Sequence, residues 1–250
     1  MELKFLGTGA ADWNGPDERG EYRRLTSTLV DGHILIDVNP EVLERIPSGA
    51  VTDVFFTHSH GDHYSPEALK ALGDVRVYAH QSWAAEIDAA QVIPLEVGQV
   101  VSLPGGCHVT VLPANHSTER AYEQPLHYLI EKDGFRLLYA TDGAWLLNEA
   151  HHLIGREPLD AAVFDATIGD AAPGDWRIFE HNSIDMVRLM VATLLKQGRL
   201  RENAPVYLTH MARTLHGAQS EIEANLQKPF IACFDGLTVS APSRAEPCTQ

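Results

Sequence analysis

The stretch that decides the fold of this chain is Val54-Phe55-Phe56-Thr57-His58-Ser59-His60-Gly61-Asp62-His63. It places three histidines and an aspartate within six residues, directly after an apolar run. A short apolar run of this kind is typical of a buried strand, here one that ends in metal-ligand residues. His58 and His60 point the same way on an extended segment, whereas Asp62 and His63 follow a turn at Gly61. One loop can therefore serve two adjacent ions, and imidazole and carboxylate ligands suit zinc, manganese or iron.

The order His58-x-His60-x-Asp62-His63 resembles the signature of the metallo-β-lactamase-fold hydrolases. The resemblance implies a further histidine, then an aspartate, then a last histidine, each at the end of a later strand. Residues of these types stand in that order, directly after apolar runs, at the positions His116, Asp142 and His210. The resemblance covers residues 1 to 240 and begins with the strand and turn of residues 3 to 9.

The resemblance also implies how two divalent metal ions would be held. The ligands of the first ion would be His58, His60 and His116. The ligands of the second ion would be Asp62, His63 and His210. Asp142 would bridge the two ions. Zinc is the favoured metal. Manganese and iron are alternatives, because they accept the same ligand types.

Length and composition favour one large domain. A chain of 250 residues with 44% hydrophobic content can bury a full core, and no linker rich in proline or glycine interrupts it. We therefore predict a single hydrolase domain over residues 1–240. Residues 241–250 carry two prolines and no apolar pattern, which predicts a disordered tail.

The pattern of apolar residues predicts an α/β fold. Short strands fill the first half of the chain, and strands alternate with helices in the second half. Helices are predicted over residues 65–72, 83–89, 145–153, 183–197 and 221–226. Two sheets with helices outside agree with the four-layer αββα sandwich that the resemblance implies.

Charge limits the partners. A net charge of −15 makes nucleic acid an unfavourable partner, whereas a small anionic substrate can still be drawn to a local cationic metal site. Cys107, Cys233 and Cys248 show no paired spacing, so they are predicted to be free thiols. The chain has no signal-peptide pattern and no apolar stretch of membrane-spanning length. We expect a cytoplasmic protein without membrane contact, and a homodimer is left open.

Three residues are candidates for direct roles in catalysis: Asp62, His181 and His216. His181 lies at the start of the helix predicted over residues 183–197, a placement similar to the histidine loop that supplies a proton donor in the tRNA 3′-processing branch of the superfamily. His216 lies six residues beyond His210 and is the alternative proton donor. A helix-cap or surface role is equally compatible with either histidine.

Other residues are expected to support the site. Asp37 and Asp165 end predicted strands, and Asp53 begins the strand before the histidine loop. Carboxylates at such places commonly orient ligand histidines. Arginines that could meet an anionic substrate, although ordinary ion pairs are equally compatible with them, are Arg23, Arg24 and Arg213. His127 lies within a predicted strand, where packing is the expected role.

The favoured function is that of a dinuclear metal-dependent hydrolase acting on a small cyclic or nucleotide-like phosphodiester through a hydroxide held between the metals. By resemblance, the chain is nearest the tRNA 3′-processing nucleases and the cyclic phosphodiesterases related to the carbon–phosphorus lyase accessory enzyme. Hydrolysis of a thioester or lactone at the same centre is the alternative. A tRNA-processing endonuclease is less favoured because no basic inserted arm is present in the sequence. A metal-binding protein without enzyme activity is also less favoured, because all seven ligand positions are intact.

Overall fold

Two β-sheets form the middle of the molecule. The structure, a computed structural model, describes residues 1–170 and 174–241. The strands of the first half of the chain are β1 (Glu2–Gly7), β2 (Ser27–Val30), β3 (Ile34–Ile36), β4 (Asp53–Phe55), β5 (Arg76–His80) and β6 (Gln91–Leu95). The remaining strands are β7 (Val100–Leu103), β8 (Cys107–Pro113), β9 (Leu126–Lys132), β10 (Phe135–Ala140), β11 (Ala161–Asp165), β12 (Val206–Thr209), β13 (Phe230–Ala232) and β14 (Thr238–Ser240).

Within residues 1–170 and 174–241, each sheet has seven strands and combines antiparallel with parallel pairing. The first sheet has the order β14-β1-β2-β3-β4-β5-β6, and the second has the order β13-β12-β11-β10-β9-β8-β7. Neighbouring strands from β3 through β6 pair in parallel, and so do neighbouring strands from β10 through β13. The carboxyl ends of the parallel strands of a sheet meet at one edge, where α/β proteins commonly place their sites.

Helices cover the outer face of each sheet. They are α1 (Pro66–Leu72), α2 (Asn148–Leu153), α3 (Ile184–Lys196) and α4 (Gln219–Asn225). One apolar cluster lies on the outer face of the first sheet with α1, and another lies between the second sheet and α2, α3 and α4. The predicted four-layer αββα sandwich is confirmed. Among the described residues, no helix is long and apolar enough to cross a membrane.

A third apolar cluster fills the space between the two sheets. Its fully buried members include Phe5, Phe55, Tyr128 and Tyr139. Burial of aromatic side chains of this size is worth about 2 kcal/mol or more each. Two hydrogen bonds also cross between the sheets: the Tyr128 hydroxyl donates to the Phe56 carbonyl, and the Tyr139 hydroxyl donates to Thr28 Oγ1 over 3.1 Å. The first of these bonds fixes the sheets to one another directly after β4, and the second does so at β2.

The first turn of helix α1 fixes the residue at which the histidine loop ends. The Ser65 hydroxyl accepts a hydrogen bond from the Ala68 N–H over 3.2 Å, and Pro66 occupies the first turn, where its missing N–H costs nothing. The backbone before α1 is also fixed, because the Val38 N–H donates to the His63 carbonyl over 2.9 Å. The loop between β4 and α1 is therefore held at both ends.

Two of the predicted helices differ from the structure. The segment 83–89 contains only a single 3₁₀ turn, Ala84–Glu86. The connection between the parallel strands β5 and β6 has ten residues and must return about 16 Å, from the end of β5 to the start of β6. A helix that spans this distance would need about eleven residues. The helix predicted from residue 145 begins at Asn148, because Trp145 has a left-handed φ of +59° and its N–H donates to Asn182 Oδ1 over 2.8 Å. From residue 242 onward, the predicted disordered tail lies outside the described residues.

Candidate metal centre

The histidine loop is shaped by hydrogen bonds to buried neighbours. The Thr57 N–H and hydroxyl both donate to the Asp37 carboxylate over 2.8 Å, at the end of β4. The His63 and Tyr64 N–H groups both donate to the His60 carbonyl, over 3.0 and 2.8 Å, which closes the turn around Gly61. The two halves of the loop therefore face one another across a turn.

Three further strand ends bring the other predicted ligands to the same place. His116 follows β8, Asp142 follows β10 and His210 follows β12. Asp142 and His210 have left-handed φ values of +57° and +59°, and so does Asp37 at +59°. Such a conformation costs a non-glycine residue about 1 kcal/mol or more. The surrounding sheets must hold these side chains against that cost, as is common at functional sites.

The first group of donor atoms contains three histidines and one aspartate. His60 Nδ1 lies 2.8 Å from His58 Nε2 and 3.2 Å from His116 Nε2. Asp142 Oδ2 lies 3.2 Å from His58 Nε2. The four side chains offer ligand atoms within 4.8 Å of one another.

The second group shares Asp142. His63 Nε2 lies 3.2 Å from His210 Nε2, 3.2 Å from Asp62 Oδ2 and 3.0 Å from Asp142 Oδ2. His210 Nε2 lies 3.5 Å from the nearer carboxylate oxygen of both Asp62 and Asp142. The structure therefore brings all seven predicted ligands together, with Asp142 between the two groups.

These spacings fit divalent metal ions. A tetrahedral ion with bonds of about 2.0–2.1 Å separates its ligand atoms by about 3.3 Å. The observed separations lie close to that value, and Asp142 Oδ1 is buried without a hydrogen bond of normal geometry from any residue that the structure describes. The donor set thus suits two ions and does not choose between zinc, manganese and iron.

Protonation follows the same arrangement. Burial opposes ionisation of Asp142, but His116, His210 and His181 outweigh it and hold the pKa of this carboxyl well below its usual range. Burial and the neighbouring His63 lower the pKa of His58 well below its usual value. Ionised carboxylates and a neutral imidazole are the protonation states in which these side chains bind metal cations.

Other polar groups orient the ligands. The His63 Nδ1–H donates to Asp37 Oδ2 over 2.7 Å, and Thr167 Oγ1 lies 2.7 Å from His210 Nδ1. Asp37 was expected in this role from the sequence, whereas Thr167 was missed because no local motif marks it. The expectation for Asp53 was wrong: its carboxylate accepts from Arg76 Nη2 over 2.7 Å and from the Tyr78 hydroxyl over 3.1 Å, away from the ligands.

The two candidate proton donors differ in position. His181 Nδ1 lies 3.0 Å from Asp142 Oδ1 and 3.0 Å from Asp165 Oδ2, and its side chain lines the cleft at the metal centre. Burial opposes its protonation, but Asp142 and Asp165 outweigh this and raise the pKa of His181 to about 11. His216 instead donates from Nε2 to the Ala166 carbonyl over 2.7 Å and lines a different cavity. The structure therefore does not support a proton-donor role for His216.

A cleft of about 250 Å³ opens onto the centre. Its lining combines the ligand histidines and aspartates, Thr167 and His181 with Ala10, Ala11, Asp12, Trp176, Arg177, Glu180 and Ala212. The arginines singled out in the sequence bind elsewhere: Arg23 donates to Thr8 Oγ1 over 2.8 Å, Arg24 to Glu44 over 2.6 Å and Arg213 to Asn14 over 3.0 Å. Within the described residues, Arg177 is the arginine that lines the cleft.

Fold and site together define a metallo-β-lactamase-fold hydrolase with a histidine and aspartate cluster at the edge of two sheets. The sequence model of the beta-lactamase superfamily domain matches residues 28–211. Because this match covers more than half of the chain, the chain belongs to the beta-lactamase superfamily. A search of curated proteins found no match.

Solved structures share this fold along nearly the whole chain. A diphosphatase from the PhnP family is 19% identical with a TM-score of 0.67, and the match covers 96% of this chain and 97% of the diphosphatase. The short form of human tRNase Z is 17% identical with a TM-score of 0.69, over 97% of this chain and 100% of the enzyme. Zn²⁺-bound PqqB from Methylobacterium extorquens is 18% identical with a TM-score of 0.67, over 96% and 100% of the two chains. Similarity at this level of identity shows the fold.

Proposed function

We propose that this protein is a metal-dependent phosphodiesterase that cleaves a small phosphodiester. The observation that carries the proposal is the pair of donor groups that share Asp142. His181 Nδ1 lies 3.0 Å from Asp142 Oδ1, and the His181 side chain lines the cleft at these groups. Two bound divalent ions would supply an activated water and stabilise negative charge on the reacting phosphoryl oxygens. The protein side chains would hold the substrate and move the proton.

His181 is placed to protonate the leaving oxygen. Its Nδ1 is engaged by Asp165 and Asp142, which fixes the ring orientation. We propose that the transferred proton is carried on Nε2, the ring nitrogen that these two carboxylates do not engage. General acid catalysis of this kind contributes typically about 10²–10⁴-fold to the rate. Asp62 would act as a ligand that also orders the reacting groups.

Substrate size and charge support a small phosphodiester. The cleft of about 250 Å³ is small for a macromolecule, and the net charge of −15 repels extended nucleic acid. Two proteins with the same fold carry names of phosphorus chemistry, a diphosphatase and a tRNase. A thioester or lactone is the second candidate, because the cleft lining includes the apolar residues Ala10, Ala11, Ala212 and Trp176.

The first test is hydrolysis of bis-p-nitrophenyl phosphate by metal-loaded protein. Asp142→Ala should lose bound metal and activity together, because Asp142 belongs to both donor groups. Turnover by Asp142→Ala protein that holds both metals would contradict the proposal. Turnover of acyl thioesters alone by the loaded wild type would favour the second candidate.

A second test separates the two histidines. His181→Gln should keep its metals and lose about 10²–10⁴-fold in kcat, since a glutamine cannot donate the proton. His216→Gln is the matched control and should keep kcat, because its ring bonds the Ala166 carbonyl away from the cleft. Equal effects of the two substitutions would contradict the assignment of His181.

A further inference from the structure

We propose that Trp176 forms a stacking surface for a planar aromatic group of the substrate, an inference that rests on the proposed function and extends it. Trp176 begins the 3₁₀ helix Trp176–Phe179 and lines the same cleft as the ligand histidines. The residue is 66% exposed, although the largest aromatic residues of the core are fully buried. An indole beside a metal centre offers a flat apolar face to whatever enters the cleft.

The turn that carries Trp176 is well anchored. The Asp175 carboxylate accepts from the Arg177 N–H over 2.9 Å and from Arg177 Nε and Nη2 over 2.9 and 2.7 Å. The Glu180 N–H donates to the Arg177 carbonyl over 2.9 Å. These bonds fix the backbone on both sides of Trp176 and so keep this residue at the cleft.

The cleft lining combines reacting groups with apolar residues. Histidines and aspartates gather where a phosphoryl group would react. Ala10, Ala11 and Ala212 line the same cleft together with Trp176, and their side chains are single methyl groups. A substrate with its phosphoryl group at the metals would therefore bring its other group within reach of the indole.

Charge disfavours a second phosphate as that group. The acidic residues Asp12 and Glu180 line the cleft. Arg177, the arginine that lines the cleft among the described residues, is already paired with Asp175 over 2.7 Å, and its Nη1 lies 3.9 Å from Asp12 Oδ2. A second phosphate would meet these acidic residues without an unpaired arginine from the described part of the chain, whereas an uncharged aromatic ring needs no such partner. The inferred substrate class is a singly charged phosphodiester that bears an aryl group or a nucleobase.

Phe179 provides a matched comparison on the same helix. It is 78% exposed, more than Trp176, yet it does not line the cleft. Scattered exposed apolar side chains are common and need no explanation by themselves. What distinguishes Trp176 is its place beside the metal centre, so Phe179→Ala is the control for Trp176→Ala.

The experiment measures binding to metal-loaded protein by calorimetry, with two pairs of probes. Phenylphosphonate and methylphosphonate differ by an aryl ring, and adenosine monophosphate and ribose 5-phosphate differ by a nucleobase. Stacking should make the aromatic member of at least one pair bind about ten-fold more tightly. Trp176→Ala should abolish that preference, Trp176→Phe should keep most of it, and Phe179→Ala should leave it unchanged. The pair that responds identifies the source of the ring.

Two results would overturn the inference. One is an absence of aromatic preference in both pairs, and the other is a preference that survives in Trp176→Ala or falls equally in Phe179→Ala. The fate of the proposed function is read separately from bis-p-nitrophenyl phosphate. If that ester is not cleaved but the preference depends on Trp176, the aromatic subsite stands and the phosphodiesterase proposal falls.

Discussion

Glu123 makes a contact that should control metal binding at a distance from the ions. Its side chain is fully buried in the loop after His116. Its carboxylate accepts the Ser59 N–H over 2.8 Å and the Ser59 hydroxyl over 2.5 Å, and the Thr118 hydroxyl lies 3.1 Å from it. Ser59 stands between two predicted ligands of the first ion, His58 and His60. Glu123 therefore holds the backbone that presents both imidazoles.

Glu123→Gln should weaken binding of the first ion by about 10–100-fold, the range found when a group behind a metal ligand is removed. The amide keeps one acceptor but turns an NH₂ group toward the Ser59 hydroxyl, and it removes the negative charge. A hydrogen bond to a charged group is worth about 1.5–3 kcal/mol, which corresponds to that range of affinity. Shape and volume change little, so the fold should persist.

Competition with a chromophoric chelator would measure zinc affinity for the wild type and the variant. Glu119→Gln is the matched control, since Glu119 lies in the same loop with its side chain 85% exposed and its Oε2 3.4 Å from His60 Nε2. The control should stay close to wild type because solvent screens an exposed pair. Equal zinc affinity of Glu123→Gln and wild type, or an equal loss in both variants, would refute the reasoning.

Two further substitutions test other parts of the site. Asp37→Asn should weaken zinc binding about 10–100-fold, because the His63 Nδ1–H loses its carboxylate partner. Chelator competition measures this loss. Asp53→Asn is the control and should show no such loss, because Asp53 lies away from the ligands. His127 is fully buried, and neither ring nitrogen has a hydrogen-bond partner among the described residues; burial lowers its pKa to about 4 despite the nearby Asp165 and Asp142. Its folded pKa lies below the unfolded value of about 6.5, so the unfolded state binds more protons between those values and stability falls by about 1.4 kcal/mol per unit of falling pH. His127→Leu should make the fall in stability between pH 7 and pH 5 smaller than in the wild type, as urea unfolding of metal-free protein at the two pH values would show; an equal fall in wild type and variant would contradict it.

The fold and most of the ligand cluster could be predicted because their signals are local in sequence. Four candidate ligands lie within residues 58–63, and the other three each follow an apolar strand. Strand ends of a two-sheet protein converge at one edge, so residue type and strand position together locate the cluster. That ions occupy it stays a prediction.

Contacts between distant segments could not be predicted. Thr167 meets His210 across 43 residues, and Glu123 meets Ser59 across 64 residues. Neither belongs to a motif, and each becomes visible only when the loops are packed together. Trp176 and Arg177 likewise stand in a segment with no strong pattern.

Nearness in sequence was misleading for His216. The chain turns away after His210 because the Met211 N–H donates to the Thr8 carbonyl over 2.9 Å and the Ala212 N–H donates to the Thr167 carbonyl over 3.2 Å. These bonds direct the following residues toward a different cavity. His181 is more distant in sequence from any predicted ligand than His216 is. It nevertheless reaches the cleft, because it precedes α3 at the edge of the sheet where the ligands lie.

The division of the candidate ligands between the two sheets gives the distant core a part in binding. His58, His60, Asp62 and His63 follow a strand of the first sheet, whereas His116, Asp142 and His210 follow strands of the second. Metal–ligand distances tolerate deviations of about 0.2 Å, so a small slide of one sheet over the other would separate the donors. The bond from the Tyr128 hydroxyl to the Phe56 carbonyl, directly before the histidine loop, resists such a slide. Selection for metal affinity would therefore also act on residues between the sheets that never touch an ion.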